Sequence, residues 1–83
     1  MFWRRETEAQ KMARRSEAMF EVAVAGWGNR IRRWAETASM SGERRLMPAV
    51  IDNPALRECV IESARKKGYR VNVAESGAFT VEW

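Results

Sequence analysis

Between Asn53 and Trp83 the apolar positions change period. Leu56, Cys59, Val60, Ser63 and Ala64 fall at i, i+3, i+4, i+7 and i+8, a single helical stripe. After Gly68, the residues Tyr69, Val71 and Val73, then Phe79, Val81 and Trp83, alternate with polar neighbours, the period of two of a strand. The ends agree with this division. Asn53 precedes Pro54, which excludes it from the α region and suits it to cap a helix that has proline in its first position. Arg65-Lys66-Lys67 complement the negative end of the helix dipole before Gly68 stops it. With Ser76 as midpoint, Tyr69 faces Trp83, Val71 faces Val81 and Val73 faces Phe79, so the large apolar side chains share one face. Arg70–Glu82 and Asn72–Thr80 pair on the other. Glu75-Ser76-Gly77 has its glycine third, as a three-residue hairpin loop requires. A lone hairpin is marginal in water, so the helix stripe is expected to cover it.

Upstream, residues 4–39 contain no proline and are rich in good helix formers. Ala9, Met12, Ala13, Ser16, Met19, Phe20, Ala23, Val24, Trp27, Ile31, Trp34, Ala35 and Ala38 form one stripe that keeps its phase across Gly26-Trp27-Gly28. The spacing predicts one continuous or gently kinked helix over 4–39, roughly 50 Å long, with the glycines admitting close packing. The alternative is a break at 26–28 with Asn29 capping a separate helix. Residues 40–52 connect: Ser41-Gly42 ends the long helix, and Leu46-Met47-Pro48-Ala49-Val50-Ile51 reads as a packed loop or one short helical turn. The predicted fold is α+β in the order α-α-β-β: a long N-terminal amphipathic α-helix, a second α-helix and a C-terminal two-stranded antiparallel β-hairpin.

At 83 residues the chain is expected to be a single small domain, 1–83, with a thin core. Such a helix is longer than a domain of this size is wide. The C-terminal unit can cover about half the stripe, leaving self-association or a partner to cover the rest. Charged residues at 31% and apolar ones at 46% place the chain among globular rather than disordered proteins. The single cysteine, Cys59, is expected on a buried face and excludes an internal disulfide. No stretch has the apolar length of a signal peptide or a membrane span, so a cytoplasmic location is expected.

The chain has no histidine, one aspartate and one cysteine, which removes the usual nucleophile–base pairs, the common zinc sets and the commonest general base. Glu58 and Glu62 stand one turn apart, but Arg57, Arg65 and Lys66 beside them make a solvated helix face. No phosphate-cradling glycine motif exists. A non-enzyme without cofactor, metal or small-molecule substrate is expected.

Two features bear on partners. Lys11, Arg14, Arg15, Arg32 and Arg33 lie on the face opposite the apolar stripe, where a nucleic-acid backbone could run. Interleaved Glu6, Glu8, Glu17, Glu21 and Glu36, a net charge of +4 and about 15 residues between the helices, where a helix-turn-helix has three or four, favour a plain solvated face. A membrane-surface role for Phe2, Trp3 and the long helix is disfavoured by the same glutamates. Four tryptophans are the second feature. Trp83 belongs with the core. Trp27 and Trp34, with Met19, Phe20 and Ile31 on the overlong stripe, are candidate partner-binding residues, because tryptophan with arginine is the composition of binding hot spots.

The helix followed by Gly68-Tyr69-x-Val71-x-Val73, a glycine turn and Phe79-x-Val81-x-Trp83 resembles the ends of short phage-encoded accessory proteins that bind host or virion proteins. The resemblance covers residues 53–83 and carries over no functional residue. It implies a protein-binding role, in the host cytoplasm if the chain is phage-encoded. The sequence thus predicts a protein-interaction module that self-associates as a dimer or docks on a larger protein, with a nucleic-acid-binding accessory protein as the alternative.

Overall fold

A computed structural model describes residues 6–83. The Arg4-Arg5 doublet, Phe2, Trp3 and the first residues of the expected long helix lie outside the described residues. The elements are α1 (Glu8–Met40), α2 (Pro54–Lys66), β1 (Arg70–Val73) and β2 (Phe79–Glu82), the α-α-β-β order.

Helix α1 starts at Glu8, where Thr7 and Gln10 close a capping box. Thr7 Oγ1 accepts from Gln10 N at 3.1 Å, and Gln10 Oε1 accepts from Thr7 N at 2.8 Å. The helix then runs uninterrupted through Gly26-Trp27-Gly28. Of these glycines, Gly28 alone is approached: a Cβ there would meet Lys67 Nζ at 3.0 Å, whereas one at Gly26 would meet nothing within 4 Å. Close packing therefore accounts for Gly28 but not for Gly26. Both helices stop in the same way. At the end of α1, Gly42 takes φ +81° and Gly42 N and Glu43 N donate to Ser39 O and Ala38 O. At the end of α2, Gly68 takes φ +95° and Gly68 N and Tyr69 N donate to Arg65 O and Ala64 O. Each is a glycine-terminated double closure of the last turn. Asn53 Oδ1 caps α2 by accepting from Ala55 N and Leu56 N.

The hairpin has the expected register: Arg70↔Glu82, Val71↔Val81, Asn72↔Thr80 and Val73↔Phe79. Ala74 N donates to Ala78 O around the turn, where Gly77 takes φ +91°. The connection is the packed loop rather than the helical turn, and two isolated bridges tie it to the hairpin. Residues 44–49 run extended along the outer edge of β2, with Leu46 N donating to Val81 O, Trp83 N to Arg44 O, and Ala49 and Phe79 exchanging both backbone bonds. Between the bridges Arg45↔Glu82 and Ala49↔Phe79 the connection has one residue more than β2, which accommodates Pro48 without asking it for an N–H. The outer edge of β2 is thereby covered by the connection.

The core is Ile31, Ile51, Val60, Ile61, Ala64, Val71, Phe79 and Val81, with Trp27, Leu46, Ala49, Leu56 and Tyr69 packed against it. Three expected core residues, Cys59, Val73 and Trp83, fall outside it. Cys59 is exposed and Ile61 is buried instead: α2 is turned by about 60° from the expected stripe, at 100° per residue, so that the larger apolar side chain is covered. Val73 is exposed although its partner Phe79 is 1% accessible. Phe79 is flanked by β1 on one side and by the bridged connection at Ala49 on the other; Val73 sits on the edge strand beside the turn. Tyr69 and Trp83 are half-buried and meet edge to face at 6.3 Å.

Candidate interaction surface on α1

The cover over α1 is confined to its C-terminal half. Ile31, Ala35 and Ala38 are buried there. On the N-terminal half no residue is buried, and the stripe predicted from periodicity meets solvent: Met12 is 48% accessible, Met19 55%, with Phe20 half-buried. The molecule is accordingly long, 65 × 27 × 17 Å, with a Cα radius of gyration of 17.0 Å against about 12 Å for a compact chain of this length.

The five candidate partner-binding residues separate into three environments. Met19 and Phe20 lie on the uncovered arm. Ile31 is 3% accessible and belongs to the core, so it is unavailable to a partner; it sits on the side of the stripe that faces α2 and the hairpin. Trp27 and Trp34 lie at the boundary, two turns apart, with their rings edge to face at 6.2 Å. Trp27 is half-buried and carries the Arg30 guanidinium 5.4 Å from its ring centroid, a cation–π contact, while Trp34 is 46% accessible. Beside them the extended connection completes a groove of about 500 Å³ lined by Trp27, Trp34, Leu46, Met47, Pro48, Ala49 and Val50. Met47 and Val50 are exposed at its far wall. Sequence reasoning missed this wall because Leu46–Ile51 carries no alternation that marks a strand. The signal present was an apolar run too short for a helix and interrupted by proline.

The candidate nucleic-acid residues are all exposed along one face of α1. Arg14 is ion-paired with Glu6 and Arg32 with Glu36, while Lys11, Arg15 and Arg33 make no ion pair with another described residue. The Arg14-Arg15 and Arg32-Arg33 doublets stand about 27 Å apart along the helix, with Ala18, Val22, Ala25 and Asn29 on the same face between them. The face offers two separated basic spots rather than a continuous track.

Among the described residues no three histidine, cysteine, aspartate or glutamate side chains gather to hold a metal ion, and no helix is long and apolar enough to cross a membrane. Glu58 and Glu62 remain on the exposed side of α2, with Lys66 3.8 Å from Glu62. No protein-family model matches the chain, and neither a curated protein nor a solved structure does so. These comparisons bear neither for nor against the resemblance to phage accessory proteins.

Proposed function

We propose that the protein is a non-enzymatic interaction module that binds protein through the apolar side of α1. The observation that carries this reading is the uncovered apolar arm running into a tryptophan-lined groove: Met12, Met19 and Trp34 are exposed on one side of the helix, with Met47 and Val50 across the groove from Trp34. Isolated surface apolar residues need no explanation, but a contiguous band of them marks an interaction site. The C-terminal unit acts as the anchor that orients the arm, since the α2–hairpin core clamps Ile31, Ala35 and Ala38 and packs no further toward the N-terminus than Trp27.

The experiment is a mass measurement in solution, alone and with any captured protein, on the wild type beside Trp27→Ala and Trp34→Ala. Truncating a central anchor of a protein interface weakens association by about 2 kcal/mol or more. Both variants should therefore loosen the assembly, and Trp34→Ala should do so with the hairpin still folded. A wild-type monomer that captures nothing, or assemblies indifferent to both truncations, would end this reading.

A further inference from the structure

Resting on that reading, we infer that the occupant of the groove is the arm of a second copy of this chain, laid antiparallel across Ala23 so that each copy's Met12 and Met19 enter the other's Trp34–Trp27 groove. Four large apolar residues of the α1 stripe are placed symmetrically about Ala23. Met12 and Trp34 each lie eleven residues from it, Met19 and Trp27 each four. Eleven residues bring a helix back to within about 20° of the same direction and four to within about 40°, so all five share one face.

A two-fold axis through Ala23 perpendicular to α1 would put Met12 against the partner's Trp34 and Met19 against the partner's Trp27. The smallest side chain would stand at the crossing. Self-complementarity of this kind is what a two-fold interface requires, and thioether–aromatic contact is a favoured pairing for methionine.

The accessible surface supports the same occupant. Met12, Met19 and Trp34 are each about half exposed, and the aromatic side chains carry on the order of 150–250 Å². With Phe20, the open part of Trp27, and Met47 and Val50 at the groove wall, each copy offers on the order of 500 Å². The pair then buries about 1,000 Å², the lower bound of a specific interface. The two copies' folded C-terminal units sit at opposite ends of this contact, since only the C-terminal half of each α1 is covered.

The register has a price in charge that makes it testable. Arg30, stacked on Trp27, comes opposite Ser16 of the second copy, and Arg15 stands next to that serine. Two like-charged pairs therefore approach at the rims. Association should tighten as salt screens them, whereas phosphate binding weakens with salt.

The test is disulfide capture under mild oxidation in a Cys59→Ser background, which removes the one native thiol. Ala23→Cys should couple to itself, Met12→Cys alone should not, and Met12→Cys mixed with Trp34→Cys should. Met19→Glu, on the exposed arm and away from the core, should raise the dissociation constant of the pair at least tenfold while the hairpin stays folded. Self-coupling of both Ala23→Cys and Met12→Cys would mean a parallel pair and would overturn the inference. So would coupling at none of the three positions. If the wild type is then monomeric yet binds another protein in a manner lost on Trp34→Ala, the interaction-module reading stands without self-pairing. If it is monomeric and binds nothing, both fall.

Discussion

Cys59 and Ile61 stand two positions apart on α2, and the helix buries the second. Their difference shows what a single stripe can and cannot convey: Val60 and Ala64 are common to either phase, and only the identity of the flanking residue decides which way the helix turns. Burying isoleucine rather than cysteine removes more hydrocarbon from water, so the covered arc extends toward Ile61. Val81 tests the core from the other side. It is 2% accessible beneath α2, and Val81→Asp should destabilise the fold by several kcal/mol by burying an unpaired carboxylate, measurable as a lowered urea midpoint. The glycines divide by what surrounds them. Gly26 has helical backbone and open space where a Cβ would go, so Gly26→Ala should stabilise the helix by about 0.5–1 kcal/mol. Gly77 has φ +91°, and a Cβ there would meet Arg57 Nη1 at 2.7 Å, so Gly77→Ala should lose about 1–2 kcal/mol. The pair of alanine variants, compared in one thermal melt series, should shift in opposite directions.

At the scale of elements, the hairpin was legible because three signals named the same register: the alternation, the polar pairs and the position of Gly77. Removing Ser76 slips that register by one and turns one strand's apolar side chains outward, so the deletion should be strongly destabilising; an unchanged melting temperature would contradict it. The bounds of α1 were also within reach, since Thr7-x-x-Gln10 is a capping signature written in the sequence. The strand-like course of residues 44–49 was not. Its pairing is with β2, distant along the chain, and an apolar run around a proline looks alike as loop, turn or edge segment. It is nevertheless structural: Ala49 N donates to Phe79 O at 2.8 Å and accepts at its own carbonyl in return. Ala49→Pro would remove the donor and leave the Phe79 carbonyl unpaired, for a loss of about 1–3 kcal/mol with the hairpin register unchanged by amide exchange. The candidate site was half legible for the same reason. Periodicity found Met19, Phe20, Trp27 and Trp34 on α1, but it could not separate Ile31, which faces the core, and it had no means of finding Met47 and Val50 across the groove.

At the scale of the molecule, one helix serves two purposes along its length. Its C-terminal half closes the α2–hairpin core, and its N-terminal half carries an apolar band away from it. An isolated amphipathic helix has little stability of its own, because most of a helix's stability in proteins comes from burying its apolar face. An uncovered arm should therefore open readily, and a covered one should not. Amide hydrogen exchange along α1, followed as protein concentration is raised, reads this directly. With the arm covered by association, protection of residues 12–23 should climb toward that of residues 27–38 as assembly proceeds, and Met19→Glu should abolish the rise. Rapid exchange of residues 12–23 at every concentration, and in any complex the protein forms, would contradict the claim that the apolar side of α1 is an interaction surface.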